Sequence, residues 1–319
     1  MNVIEWVLQG DESLVYLVKK NLLKTNKEEL QFLQSRLLDQ GIANFILNRK
    51  DLQTDLWDNG IYSPKYTSTH YTLWELCQLG VDLSDIRLSN SITRLTEEMW
   101  KPLGKVRAYR HQDLCVVSMI LKIRLEAKID DNINREMIDY IIEHQMKDGG
   151  FNCAWERKPF PKQSSLHTTV SVLDAFASYR ENNNLYRARE IELATKQCIE
   201  YILTKRLFRS VSTGKIIHED MLKCPFPYGW KYDIMRALFL MSYFDYAYDQ
   251  RMDEALNILI HRADDFGRIK AYSLSAGKHN LIYTRSNNYC RFNTYRFLYI
   301  IKKYRQNEYQ KYIGKHFLL

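Results

Sequence analysis

Residues 67–80 read TSTHYTLWELCQLG, and residues 164–177 read SSLHTTVSVLDAFA. In both, small hydroxyl residues precede a histidine, a threonine follows, and an apolar run begins. Ser68, Thr69, Ser164 and Ser165 are N-cap candidates, whose oxygens serve the unpaired backbone N–H groups of a helix start. His70 and His167 then fall at one register in the first turns of two helices. A helix start written twice in one chain predicts a repeated helical unit.

A second phrase recurs: glycine, one residue, then a bulky apolar or aromatic residue. It appears at NGIY (Gly60), LGKV (Gly104), DGGF (Gly149), TGKI (Gly214) and FGRI (Gly267), at spacings of 44 to 65 residues. That period suits a helical hairpin with variable loops. Asp148 of DGGF reads as turn chemistry, because Asp-Gly-Gly supplies its own local hydrogen bonds. The helical segments divide into two classes. Segments 28–40, 91–100, 135–146, 187–203 and 253–263 carry one apolar face and one charged face. Segments 12–23, 70–80, 113–125, 166–179, 232–244 and 292–304 are apolar on most sides, and such helices must be covered on most sides. Six of these, alternating with one-faced helices, predict an all-α chain folded as an (α/α)6 barrel. About six hairpins would form two concentric rings, in one domain over residues 1–319.

In that arrangement the inner helices run the same way and open their N-terminal ends on one mouth. His70, His167 and Asp233 are the candidates for acid–base chemistry there. KYDIMRAL (231–238) and RFNTYRFL (291–298) share a pattern of basic, aromatic, Asp or Asn, two residues, then Arg. This pairs Asp233 with Arg236, and Asn293 with Arg296, at i,i+3 spacing. Helix N-termini reinforced by Arg236 and Arg291 favour an anionic group. Tyr71, Trp74, Trp230 and Tyr232 complete the expected ligand-binding set with Asn293, as aromatic walls suited to a hydrocarbon chain or to sugar rings.

The composition agrees with a helical, folded chain: 45% hydrophobic and 26% charged residues, with only 12 Gly and 6 Pro in 319. The net charge of +8 is interleaved with acids, as in KKNLLKTNKEEL, and reads as solvated surface rather than a polyanion site. No nucleic-acid partner is expected. No apolar run approaches the roughly 18 residues of a membrane helix, and the start MNVIEWVLQGDESL lacks the basic region of a signal peptide. Six well-separated cysteines without a CxxC pair read as reduced thiols, and with the missing export signal they predict a cytoplasmic protein. Cys115 and Cys153 are acceptable zinc ligands alongside His70, His167 and Asp233, but no short-range ligand pair accompanies them. The expectation is therefore no metal and no cofactor. Oligomeric state is not written in these patterns.

QMKDGGFNC (145–153) resembles the Q-x-x-D-G-x-W repeat of the squalene cyclases, with Phe151 in place of Trp. YSPKYTSTHYTLWEL, DGGFNC, SSLHTTVSVL, LFRSVSTGK and FPYGWKYDIMRAL resemble blocks of small bacterial proteins labelled prenyltransferase-like or squalene-cyclase-like. Over almost its whole length the chain thus resembles the terpenoid cyclase and protein prenyltransferase superfamily of α/α toroids. The resemblance implies a central cavity holding an amphipathic, isoprenoid-like ligand with an anionic head group. Three departures accompany it. The Asp-x-Asp-Asp of class II cyclases is absent, and DLSD (82–85) has another spacing. DDNIN (130–134) lacks the final acid of a class I diphosphate motif. Ser165-Leu166-His167 stands where zinc-dependent prenyltransferases have Asp-x-Cys. Two other functions fit the same barrel. One is a carbohydrate-active enzyme, for which Asp233 is the best-placed acid. The other is a non-catalytic binding or scaffold protein.

Overall fold

Asp and Asn side chains start many of the helices, each accepting a first-turn backbone N–H that the helix leaves unpaired. A computed structural model describes residues 1–101, 112–155 and 157–317. Its α-helices, in chain order, are α1 (Val3–Leu8), α2 (Glu12–Asn21), α3 (Lys27–Ser35), α4 (Gly41–Leu47), α5 (Thr69–Gln78), α6 (Ile86–Met99), α7 (Leu114–Glu126), α8 (Asn132–Glu143), α9 (Leu166–Glu181), α10 (Ala188–Thr204), α11 (Ile234–Tyr243), α12 (Asp253–Arg262), α13 (Arg291–Tyr304) and α14 (Gln306–Ile313). Asn2, Asp11, Asn26, Asp85, Asp131 and Asp233 cap α1, α2, α3, α6, α8 and α11 in this way. Among the described residues there are isolated β-bridges but no strand. Among them, too, no helix is long and apolar enough to cross a membrane.

Helices α5, α7, α9, α11 and α13 pack side by side in that order, and α13 packs on α2. These six are the segments that the sequence marks as apolar on most sides. Helix α9 is buried without a break from Thr168 to Tyr179, and α7 from Val116 to Leu125. Helices α3, α6, α8, α10 and α14 each pack on the helix before them, which makes hairpins. Three short helices, α1, α4 and α14, were not expected. Too short to show a period, they pack against longer neighbours: α1 on α2 and α13, α4 on α2, and α14 on α13.

The recurring glycine phrase has a structural use. Gly149 and Gly267 sit at φ +88° and +86°, a left-handed backbone that favours glycine. Two residues after each, the chain donates an N–H to a threonine of the helix that follows: Phe151 to Thr169 Oγ1 of α9 at 3.0 Å, and Ile269 to Thr294 Oγ1 of α13 at 2.9 Å. In the first unit Trp57 N–H reaches Thr69 Oγ1 at 3.1 Å, from a donor that precedes Gly60. At Gly149 and Gly267 the phrase therefore pins the incoming loop to the first turn of the helix that follows, whereas the Gly214 phrase returns to its own loop through Ile217 N–H and the Phe208 carbonyl. The Gly104 phrase lies outside the described residues. The serines behave differently from expectation. Ser68 and Ser165 occupy the N-cap positions of α5 and α9, but neither side chain makes a capping bond. Threonine hydroxyls hold the loops instead. Asp148 takes the Ser164 N–H at 2.8 Å and the Ser164 hydroxyl as well, so its turn chemistry extends to the start of α9.

Thr169→Val keeps the shape but leaves the buried Phe151 N–H without its acceptor. Urea denaturation should show a loss of about 1–3 kcal/mol. A change below roughly 0.5 kcal/mol, the range of neutral surface substitutions, would mean that the pin contributes nothing.

Candidate functional site

Among the described residues, six buried charged side chains lie within the helices that are apolar on most sides: Glu75 in α5, Lys122 and Arg124 in α7, Asp174 in α9, Arg236 in α11 and Arg296 in α13. A buried charge has to be paired or neutralised. Asp174 is the hub. Its Oδ2 accepts from Arg236 Nη2 at 2.9 Å and from the Tyr228 hydroxyl at 3.3 Å, while Oδ1 lies 3.2 Å from Lys122 Nζ. Lys122 also donates to Ser178 Oγ at 2.9 Å and lies 3.4 Å from Glu126. Burial pushes the Asp174 carboxyl up, but Lys122 and Arg236 outweigh it and hold it below the usual carboxylate range. Burial likewise works against the Lys122 ammonium, and Asp174 and Glu126 more than restore it.

These groups line a chamber of about 130 Å³ to which α2, α5, α7, α9, α11 and α13 all contribute. Helices α2, α5, α7, α9 and α11 contribute residues of their last turns, among them Lys20, Asn21, Gln78, Glu126, Glu181 and Tyr243, whereas Arg236, Tyr295 and Arg296 come from nearer the starts of α11 and α13. Among the described lining residues are four basic side chains (Lys20, Lys122, Arg236, Arg296) and three acidic ones (Glu126, Asp174, Glu181). Phe226, Tyr228, Phe239 and Tyr295 supply aromatic wall. Two guanidinium groups approach the Tyr228 ring, Arg236 at 4.6 Å and Arg296 at 5.2 Å from its centroid. Arg236 Nε and Arg296 Nη2 are buried without a hydrogen-bond acceptor. Through Lys20, Gln34, Glu126 and Glu181 the chamber adjoins a vestibule of about 530 Å³. An ion pair between Lys20 and Glu181 stands at that junction.

The residues singled out in the sequence are distributed over several places. His70 and His167 share a helical register, each the second residue of its helix. His70 is fully buried against the rings of Tyr62 and Tyr71, with both ring nitrogens unpartnered, and burial lowers its pKa to about 3. His167 is partly exposed beside Trp230, and its Nδ1 accepts the Tyr232 N–H at 2.8 Å. Burial, then Lys231 and Arg236, lowers its pKa to about 4, so both imidazoles are neutral at pH 7. Asp233 caps α11 by accepting the Arg236 N–H at 2.8 Å. The ion pair expected between Asp233 and Arg236 is not formed. Arg236 turns to Asp174, and Asp233 Oδ1 lies 3.7 Å from Arg296 on α13. Burial raises the Asp233 pKa against the pull of Arg296. Trp74 packs edge-on to Tyr228 and under Arg236, and the Tyr232 hydroxyl is buried without a partner. Asn293 donates to the Cys224 carbonyl at 2.9 Å, and Arg291 leads away to Trp6, donating to its carbonyl at 3.0 Å.

Sequence reasoning missed Asp174, Lys122, Glu181 and Tyr228 as members of one site. It also missed Glu75. The Glu75 carboxylate accepts from the Tyr283 hydroxyl at 2.7 Å and from Asn280 Nδ2 at 2.9 Å, beside a small cavity of about 20 Å³ lined by Tyr71, Trp74 and Tyr228. Burial raises its pKa to about 7, against the lowering effect of Tyr283 and Asn280. The available signal was a charge inside a helix apolar all round, which demands a partner in space. Among the described residues, no cluster of three or more His, Cys, Asp or Glu side chains is arranged to hold a metal ion. No protein-family model matches the chain, and no curated protein sequence is similar to it.

Glu75 carries a pH dependence whose sign follows from its raised value. The folded state keeps the proton up to about pH 7, whereas the unfolded chain gives it up near the ordinary 4.5. Stability is therefore lost as pH rises through that window and is level above it. Glu75→Gln should remove roughly 3 kcal/mol of this slope, at about 1.4 kcal/mol per pK unit. Urea melts across the window check this, and an unchanged slope would show that Glu75 is ionised in the fold throughout.

Proposed function

We propose that the chain is an α/α toroid of six helical hairpins whose central chamber binds a small amphipathic anion. The toroid reading is supported by the lateral succession of α5, α7, α9, α11 and α13, by the return of α13 to α2, and by the single cavity that all six inner helices line. The resemblance of DGGFNC and SSLHTTVSVL to the terpenoid cyclase and protein prenyltransferase superfamily points the same way.

One observation carries the ligand reading: Arg236 Nε and Arg296 Nη2 are buried donors without a hydrogen-bond acceptor on residues that line the chamber, Arg296 Nη2 having only the Asp233 carboxylate at 3.7 Å. Leaving such donors without acceptors is costly, and an oxyanion between the two guanidiniums would satisfy both. The rings of Tyr228, Phe226 and Phe239 would flank the part of the ligand next to that head group. An apolar body would continue past Lys20 and Glu181 into the vestibule, beside Tyr16, Leu30 and Val81. A short isoprenoid-like chain bearing phosphate or carboxylate has this form. The carbohydrate-active alternative requires one carboxyl free to act as acid. Each acid lining the chamber is instead engaged by a cation: Asp174 by Arg236 and Lys122, Glu126 by Lys122, and Glu181 by Lys20.

Calorimetric titration with geranyl diphosphate, inorganic pyrophosphate and geraniol tests the reading. The amphipathic anion should bind at least about tenfold more tightly than either half. Arg296→Gln should weaken it by about ten- to a hundredfold, the scale of a lost charge-assisted hydrogen bond, with the fold checked by circular dichroism. Equal affinity of the variant and the parent chain, or heat from geraniol alone, would contradict it.

A further inference from the structure

Cys115 is the second residue of α7, and Cys153 lies in the loop joining α8 to α9. The fold brings them together. Cys153 Sγ accepts the Cys115 backbone N–H at 3.2 Å and the Thr168 hydroxyl at 3.3 Å. The Cys153 N–H in turn donates to Thr168 Oγ1 at 3.3 Å, which holds the loop against the start of α9. Both residues are partly exposed, whereas Cys198, Cys224 and Cys290 are buried. Donors converging on one sulfur at the first turn of a thirteen-residue helix are the conditions that favour thiolate over thiol. The thiol of Cys115 is the neighbouring ionisable group. It draws Cys153 below the ordinary thiol range, with Thr168 assisting against burial, and Cys115 is pushed up correspondingly.

We infer that Cys153 and Cys115 form a reactive dithiol, with Cys153 as the attacking sulfur and Cys115 as the resolving one, which closes to a disulfide on meeting a low-molecular-weight disulfide. In the first step the Cys153 thiolate attacks one sulfur of the oxidant. A Cys153–oxidant bond forms, the oxidant's own S–S bond breaks, and one small thiolate leaves. In the second step Cys115 gives up its proton to solvent and attacks the Cys153 sulfur. The Cys115–Cys153 bond forms, and the second small thiolate leaves and takes up a proton. Two protein thiols lose two electrons, and the small disulfide gains them as two thiols. The resulting bond would tie the loop before α9 to the start of α7, linking two neighbouring inner helices.

The test is incubation of the full chain with oxidised glutathione, followed by intact-mass analysis and peptide mapping. The expected product has lost two hydrogens, carries a Cys115–Cys153 cross-link, and returns to the starting mass with dithiothreitol. Cys115→Ser should stop at one glutathione on Cys153, because the resolving thiol is missing. Cys77, the other partly exposed cysteine, should react at least about tenfold more slowly, since burial pushes its thiol up. Because Cys115→Ser also perturbs the first turn of α7, its helical content is compared by circular dichroism, and the mapping of the unmutated chain stands independently. Absence of the cross-link in the unmutated chain, or reaction at Cys77 as fast as at Cys153, would overturn the inference.

Discussion

The Asp174 carboxylate, buried between Lys122 and Arg236, is the interaction on which the centre of the molecule depends. It joins α7, α9 and α11 through charges on helices that are otherwise apolar. An unpaired charge there would cost several kcal/mol, so the three helices are acceptable only in the register that lets these groups meet. Aliphatic cores interdigitate and leave few voids larger than a water molecule. Here the charged heads and the aromatic rings around them enclose about 130 Å³. The same pairing that constrains these helices therefore accompanies an open centre. Arg236 links the two, because one of its nitrogens holds Asp174 while Nε is left without an acceptor.

The two ends of the helical assembly differ. At the helix starts, loops are fastened down by backbone-to-threonine bonds at Thr69, Thr169 and Thr294, and by side chains that reach loop carbonyls, as Asn293 does at Cys224 and Arg296 at Pro225. The segment around Asn280 and Tyr283 closes over α5 through Thr72 and Glu75. At the helix ends, the ion pair of Lys20 and Glu181 stands between chamber and vestibule. A ligand entering from the vestibule would meet fixed side-chain cations rather than helix N-termini. The electrostatics of the chamber are those of guanidinium and ammonium groups held by carboxylates.

The helices were legible where burial leaves a mark on composition. Segments such as 113–125 and 166–179 are apolar around the whole circumference, and only enclosure explains that pattern. The glycine phrase was legible as a repeat, but its use depends on threonines that lie later in the chain, such as Thr169 for Phe151, so spacing alone did not reveal it. The site was less legible. His70 and His167 drew attention by repetition, and they do share a register. Yet His70 is packed among tyrosines, and His167 is engaged by a backbone N–H. Lys122 and Asp174 lie far apart in the sequence, and nothing local announces that they meet. Arg236 has a carboxylate three residues before it, and local spacing pairs it with Asp233. The three-dimensional arrangement gives that arginine to Asp174 instead, because Asp233 is occupied in capping α11.

The central claim is that the unsatisfied guanidinium N–H groups of the chamber receive an anion. The most direct measurement is the ¹⁵N–¹H resonance of Arg236 Nε in labelled protein, followed as geranyl diphosphate is added. The account predicts a saturable shift of that resonance, with a similar response from Arg296 and none when geraniol is added instead. Arg236 and Arg296 resonances that stay unmoved at saturating ligand would contradict it.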